Sequence, residues 1–170
     1  MNRASFMAIY GGVFEHSPWI AGQVWDQGLH RGGLRELQAA FSAVIRGAGR
    51  QQQMALLRAH PQLACGISSR EELTAESRGE QRGAGLDQCS AAEFEEFAQL
   101  NSTYSDKFGF PFIMAVRGFS RDRILDSFRA RLGNTAAEEF REALEQVTRI
   151  GEFRLQDIVK KQEKIHDGQT

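Results

Sequence analysis

The sequence predicts an all-α fold, a single-domain bundle of about seven helices, and three observations lead to this prediction. Nearly every stretch with a periodic pattern repeats its apolar residues at helical spacing. Capping residues, or Gly and Pro, separate these stretches from one another. The 170 residues contain no internal repeat and no linker-like tract, so one domain covering residues 1–170 is expected.

Three helices are predicted in the N-terminal part of the chain. Ser17 followed by proline is a favoured helix start, so a helix over about 18–27 is expected with Ser17 as its N-cap. Residues 34–46 carry a single apolar stripe, which indicates a core helix. The third helix should end at His60, because Pro61 disfavours the helical conformation in the residue before it.

Four further helices are predicted downstream. The polar stretch 68–72 leads into a helix over about 74–82 that is too polar for the core. Ser90–Glu93 has the sequence of a capping box and opens a helix that ends before a Gly and a Pro. A helix over 121–132 comes next, and Thr135–Glu138 caps the start of a long final helix.

The composition excludes several classes of partner. The net charge is −1 with both signs dispersed, and no cluster of Lys and Arg indicates binding to a nucleic acid or to an anionic membrane. No apolar run approaches the ~20 residues that a membrane-spanning helix requires. A small molecule or a protein is therefore the expected partner.

The cysteines and the N-terminus predict a cytoplasmic protein. Cys65 and Cys89 form no Cys-x-x-Cys motif, and the N-terminus lacks the apolar stretch of a secretory signal. The chain is therefore expected in the cytoplasm with both thiols reduced. The four histidines show no metal-binding spacing, so no metal site is expected.

His60 is the first candidate for a chemical role. The carbonyl end of a helix carries partial negative charge and favours a protonated imidazole. A histidine at the end of a helix can therefore give up a proton near neutral pH, which suggests a general acid. The alternative is that the ring of His60 only caps the last helical turn.

The predicted polar helix offers a second group of candidates. Glu76 and Glu80 lie four residues apart, as do Ser77 and Gln81. One turn of helix can thus present a hydroxyl, a carboxylate and an amide to a small ligand. The alternative is a solvated helix face on which Arg82 balances the charge.

The segment Phe108–Ile113 combines three aromatic residues with Gly and Pro. It can form an apolar wall next to backbone groups that are not all in helical hydrogen bonds and can therefore bind a ligand. A plain core turn is the alternative. The apolar run Phe110–Val116 fits either a helix or a buried extended segment, and both possibilities stay open.

Arg154 lies on the final predicted helix, beside two apolar residues. Its guanidinium could hold a planar carboxylate or ureido group through its fork of donors. It could equally extend to water.

Four motifs span most of the chain: Phe14–Trp19, His60–Leu63, Glu76–Gln81 with Ala84–Leu86, and Leu100–Tyr104 running into Lys107–Ile113. The His-Pro-x-Leu sequence alone would be weakly specific, but the four motifs together are highly specific. On these residues the chain resembles the family of 2-oxo-4-hydroxy-4-carboxy-5-ureidoimidazoline (OHCU) decarboxylases. These all-helical enzymes complete the oxidation of urate to (S)-allantoin.

The resemblance implies a carboxy-lyase without cofactor or metal, in which His60 donates a proton and Glu80 lies beside it. It implies that the ureidoimidazoline substrate is bound by Pro61, Ser77, Arg78, Gly79, Glu80, Gln81, the backbone of Phe112, Ile113, Met114, Ala115 and Val116, and Arg154. Family members form dimers, so a homodimer is expected. Eukaryotic members tend to end in a peroxisomal signal that this sequence lacks, so a bacterial cytoplasmic member is expected.

Two other functions remain open on the residues alone. One is a hydrolase that acts on a related ureide with water activated by a bound metal. The other is a non-catalytic helical module whose Phe-rich segment docks a ligand or a partner protein.

Overall fold

The computed structural model describes residues 1–65 and 74–167, so the polar stretch 68–72 lies outside the described residues. Within those ranges the chain forms eight α-helices and one 3-10 turn, Leu29–Arg31, and no strand. The helices are α1 (Arg3–Tyr10), α2 (Trp19–Asp26), α3 (Leu34–Gly47), α4 (Arg50–Ala59), α5 (Ala75–Gly83), α6 (Ala91–Phe108), α7 (Arg121–Arg131) and α8 (Ala136–Asp167). The predicted all-α fold class is confirmed. None of these described helices is long and apolar enough to cross a membrane.

Helix α1 has no counterpart among the seven predicted helices. It begins at a side-chain cap, because Asn2 Oδ1 accepts a hydrogen bond from the backbone N of Ser5 at 2.9 Å. Phe6 and Tyr10, four residues apart on one face of α1, are buried. The helix is therefore stabilised by a local cap and by the burial of two aromatic rings.

The predicted helix boundaries at Ser17 and at His60, both in sequence motifs, shift by one residue. Helix α2 has Pro18 as its N-cap instead of Ser17, whose carbonyl accepts a hydrogen bond from Ile20 N at 3.2 Å. Helix α4 ends at Ala59, so His60 is the first residue after the helix and not its last residue. The second shift agrees with the restriction that a proline places on the residue before it.

Both predicted capping boxes are confirmed. At the start of α6, Ser90 N donates to Glu93 Oε2 at 2.7 Å and Glu93 N donates to Ser90 Oγ at 3.2 Å. At the start of α8, Thr135 N donates to Glu138 Oε2 at 2.8 Å and Glu138 N donates to Thr135 Oγ1 at 3.3 Å. These reciprocal bonds fix where the two long helices begin.

Helices α1 to α4 and the part of α8 from Thr148 onward form the first of two compact units. The core of this unit is made of large apolar side chains from α1 to α4, among them Phe6, Ile20, Val24, Phe41, Ile45, Leu56 and Leu57. The unit is built from both ends of the chain.

The described residues from His60 to Val147 form the second unit. An aromatic cluster fills its core, in which the ring of Phe112 stacks on that of Phe128 with centroids 3.8 Å apart. Tyr104 contacts both of these rings edge-on. The segment Phe110–Val116 is buried with only its proline partly exposed and is neither helix nor strand, which answers the question that the sequence left open.

Gly151 lies inside α8 of the first unit, where a glycine usually weakens a helix. A Cβ added at this position would lie 2.2 Å from Cζ of Phe14. Because Phe14 is only 3% exposed, its ring has little room to move away. The glycine thus allows the aromatic ring to approach the helix backbone.

We therefore expect Gly151→Ala to lower the free energy of unfolding by about 1–3 kcal/mol, although alanine favours a helix over glycine by about 1 kcal/mol. Urea denaturation measures the change. Gly47→Ala is the matched control, because a Cβ at this last residue of α3 meets no neighbouring atom within 4 Å. A Gly151→Ala protein as stable as the wild type would contradict the close approach of Phe14.

Candidate functional site

His60 opens a short non-helical segment that runs to Cys65 in the second unit. Residues 61–65 have no regular secondary structure, since the chain leaves α4 at a proline that cannot continue it. His60 and Pro61 are half-buried, whereas Leu63 and Cys65 are buried. The segment is thus anchored by apolar burial at its far end, while the imidazole keeps partial access to solvent.

Two amide side chains bind the backbone of this segment. Gln81 of α5 donates from Nε2 to the carbonyl of Gln62 at 3.1 Å and accepts at Oε1 from the N–H of Ala64 at 3.4 Å. Asn101 of α6 donates from Nδ2 to the carbonyl of Leu63 at 2.7 Å. Three consecutive residues after the His-Pro pair are therefore held by side chains from two different helices.

Helix α5 turns different faces to the interior and to solvent. Ser77 and Gln81 are buried, Arg78 and Gly79 are exposed, and Glu80 is half-buried between them. The alternative of a solvated helix face thus describes one side of α5 only. Of the predicted residues, the structure brings Gln81 onto the segment after His60 and leaves Arg78 and Gly79 on the outer side.

Cys65 and Cys89 are joined by a disulfide, which contradicts the expectation that both thiols are reduced. That expectation rested on the absence of a Cys-x-x-Cys motif, but a spacing of 24 residues does not prevent pairing once the chain folds back. The two Cα atoms lie 5.8 Å apart, within the range that a disulfide requires. The bond closes a ring of chain that contains α5.

All five residues of the segment 112–116 are buried, and side chains bind part of its backbone. The carbonyl of Ile113 accepts a hydrogen bond from Arg131 Nη1 at 2.6 Å. The N–H of Ala115 donates to Gln146 Oε1 at 2.9 Å. The segment is therefore fixed in place by α7 and α8.

Arg131 belongs to a buried polar network in the second unit. Its Nε donates to Glu139 Oε1 at 2.8 Å, and its Nη2 makes a second, shorter bond to the same oxygen. The hydroxyl of Tyr104 also donates to Glu139, and Asn134 Nδ2 donates to its other oxygen at 2.8 Å. The guanidinium lies over the ring of Phe112, 4.5 Å from its centroid. Arg131 thus connects an ion pair, an aromatic ring and the backbone of the segment 112–116.

Burial holds the Tyr104 hydroxyl in its protonated form. Desolvation is the main cause that raises the pKa of Tyr104 above its ordinary value, and the hydrogen bond to the Glu139 carboxylate raises it further. Tyr104 therefore remains a donor to Glu139 well into the alkaline range.

Four residues are absent from the predicted site: Asn101, Arg131 and Gln146, which bind these segments, and Glu139, which binds Arg131. Of these, Asn101 stands inside the fourth sequence motif, so its position in that motif was an available signal. The other three stand in no motif, and only the folded structure identifies them.

Arg154 lies on the part of α8 that belongs to the first unit, and it is 3% exposed. Its Nη1 donates to the carbonyl of Val13 at 2.9 Å and to Glu15 Oε2 at 2.8 Å. The alternative in which this guanidinium extends to water is therefore wrong. Its partner Glu15 stands in the chain's first motif, and Val13 directly precedes that motif.

In the parts of the chain that the structure describes, no three side chains of His, Cys, Asp or Glu are grouped as a metal ion requires. The polar side chains of Gln81, Asn101, Arg131 and Gln146 bind backbone atoms of the two non-helical segments.

The chain matches the family model described as OHCU decarboxylase over residues 1–156. It is 40% identical over 157 residues to a 2-oxo-4-hydroxy-4-carboxy-5-ureidoimidazoline decarboxylase of Halalkalicoccus jeotgali, which covers 92% of this chain and 86% of that relative. A protein of the same name from Haloferax volcanii is 39% identical over 151 residues, or 89% of this chain and 87% of the relative.

The fold is also similar to a solved structure. A crystal structure of (S)-allantoin synthase matches with a TM-score of 0.75 at 30% sequence identity. The match covers 93% of this chain and 51% of that longer chain.

The two tyrosines of the chain give a direct test of the buried environment of Tyr104. Burial also raises the pKa of Tyr10, so neither tyrosine should ionise at its ordinary value of 10.0 in the folded protein. We expect the ultraviolet absorbance of tyrosinate to stay low at that pH in the folded protein and to rise when the protein unfolds.

The same shift makes stability depend on pH. The pKa of Tyr104 is higher in the folded protein than in the unfolded chain. Its contribution to the free energy of unfolding is therefore complete below pH 10.0 and is lost as the pH rises above that value. As the pH rises through this alkaline range, the free energy of unfolding of Tyr104→Phe should therefore fall less than that of the wild type. If half of the tyrosine in the folded protein were ionised at pH 10.0, the raised pKa values would be refuted.

Proposed function

This chain belongs to the OHCU decarboxylase family and is a decarboxylase of urate degradation, and we propose that His60 protonates its substrate from one face to give (S)-allantoin. The family assignment favours decarboxylation over the metal-dependent hydrolase and over the non-catalytic module. The proposal concerns the mechanism and the residues that carry it.

The chemistry needs an oriented substrate more than it needs a cofactor. When the carbon–carbon bond to the carboxylate breaks, its electron pair stays on the ring carbon, and the neighbouring imine and carbonyl groups of the ring accept it. The pocket therefore has to hold the carboxylate out of the ring plane, so that the breaking bond overlaps the π system. Donors stabilise the enolate-like charge. The electron pair moves into the adjacent C=N bond and leaves an enol at the carbon that lost carbon dioxide. That carbon becomes a carbonyl as its hydroxyl gives up a proton, and a proton is added to the neighbouring ring carbon, which carries the ureido group and becomes the stereocentre of the product.

The position of His60 supports its role as the proton donor. His60 follows directly after α4, at the end of the helix that carries partial negative charge. It is half-buried, so a substrate can reach it. Delivery of the proton from a fixed imidazole to one face of the ring would produce a single enantiomer.

The observation that carries the proposal is the pair of hydrogen bonds in which Gln81 donates to the Gln62 carbonyl and accepts from the Ala64 N–H. These bonds join the carboxylate-bearing helix α5 to the segment that His60 opens. Glu80 precedes Gln81 at the edge of the buried face. Its carboxylate could orient the imidazole or a ring nitrogen of the substrate in the protonation state that the reaction needs.

The other substrate contacts extend this proposal. Pro61, Ser77, Arg78, Gly79, Gln81, the backbone of residues 112–116 and Arg154 are the further substrate ligands that the family resemblance predicts. The homodimer and the cytoplasmic location also remain predictions.

The first test replaces the proton donor. The substrate is generated in place from urate with the two preceding enzymes, and the chirality of the allantoin is followed over time. We expect His60→Asn to lower kcat by about 10²–10⁴-fold and to leave the circular dichroism spectrum unchanged. Near-wild-type turnover to a single enantiomer would remove His60 from the mechanism.

The second test removes the charge of Glu80 and keeps its shape. We expect Glu80→Gln to lower kcat by about 10²-fold or more, because an oriented carboxylate supports the proton transfer. Glu76→Gln is the matched control, since Glu76 lies one turn earlier on the exposed side of α5. Equal kcat values for the two variants would leave Glu80 without a chemical role.

A further inference from the structure

Helix α6 carries two buried polar residues that the proposed mechanism does not use. Asn101 and Tyr104 stand three residues apart in the fourth sequence motif and therefore lie on one face of the helix. Tyr104 belongs to the network of Glu139 and Arg131. Asn101 instead makes a direct bond to the segment that follows His60.

The bond from Asn101 is short and lies inside the protein. Its Nδ2 atom is 2.7 Å from the carbonyl oxygen of Leu63, and the side chain is 6% exposed. Leu63 is three residues after His60, and Pro61 between them has a fixed φ angle. A displacement of the Leu63 carbonyl is therefore passed along a short and stiff stretch of backbone to His60.

Asn101 is poorly suited to a role in stability alone. Its Oδ1 atom is buried and has no hydrogen-bond partner among the described residues. A buried acceptor without a partner costs free energy, which offsets part of what the Leu63 bond contributes. An apolar side chain of the same size would avoid this cost, but it could not orient the Leu63 carbonyl.

From these observations we propose that Asn101 is a positioning residue for the proton donor. By holding the Leu63 carbonyl, it fixes the His60 imidazole on one face of the substrate ring. The inference rests on the proposed function, because it has a consequence only if His60 delivers the proton. Asn101 itself touches the backbone of Leu63 and not the reacting atoms.

The enantiomeric excess of the product separates positioning from stability. In solution a proton reaches the ring carbon from either face and gives both enantiomers, so a loosely held imidazole lets this competing route contribute. We expect Asn101→Leu to lower kcat by roughly 10- to 100-fold, with little change in KM and a lower enantiomeric excess. Because a smaller folded fraction also lets the uncatalysed route contribute, the variants are compared at enzyme concentrations that give equal enzymatic rates. Under this condition a protein that is only less stable matches the enantiomeric excess of the wild type.

Asn101→Asp provides a second variant of nearly the same shape. An ionised carboxylate cannot donate to the Leu63 carbonyl, whereas a protonated carboxyl group can. We therefore expect a reduced enantiomeric excess at neutral pH that returns toward the wild-type value as the pH is lowered. This variant decides the question if Asn101→Leu does not fold.

Asn2→Ala is the control for lost stability, because it removes the cap of α1 and no predicted site residue lies on that helix. Its melting temperature should fall while its kcat and enantiomeric excess stay at wild-type values. An unchanged enantiomeric excess in both Asn101 variants would overturn the positioning role while His60→Asn still abolishes catalysis. Full activity of His60→Asn would instead overturn the proposed function itself.

Discussion

Two segments of the second unit are not helical, 61–65 partly buried and 112–116 fully buried, and the hydrogen-bonding needs of their backbone groups constrain its architecture. Buried N–H and C=O groups require hydrogen-bond partners, and the helices around them have used most of their own backbone groups internally. Side chains fill this need: Gln81 and Asn101 bind the segment 61–65, and Arg131 and Gln146 bind the segment 112–116. The geometry proposed for catalysis depends on these bonds.

The ion pair between Arg131 and Glu139 shows what such a constraint costs. Removing two charges from water is unfavourable by several kcal/mol for each ion. This cost is offset because Glu139 has a full set of hydrogen-bond partners: besides Arg131, Tyr104 and Asn134 also donate to it. Apolar replacements could reach a similar stability, but they would leave the Ile113 carbonyl without its donor. The ion pair thus serves geometry as much as stability.

Local patterns predicted most of the fold but little of the site. The capping box at Ser90 and the proline after His60 act within a few residues, so the sequence alone locates a helix start and a helix end. The bond between Asn101 and Leu63 spans 38 residues, and the choice of such a distant partner depends on packing. The family resemblance predicted His60 and Glu80 as site residues, whereas the Cys65 disulfide needed the folded chain.

The disulfide also determines the outcome of a cleavage of the backbone by a protease. Cys65 and Cys89 enclose every peptide bond between them, so a protease that cuts once anywhere in residues 66–88 leaves two fragments still joined through sulfur. Helix α5 would remain attached at one end or the other, and the nicked molecule would separate into two pieces only after a thiol reagent had opened the bridge. Limited digestion followed by electrophoresis with and without reductant would therefore show two patterns from one cleavage event.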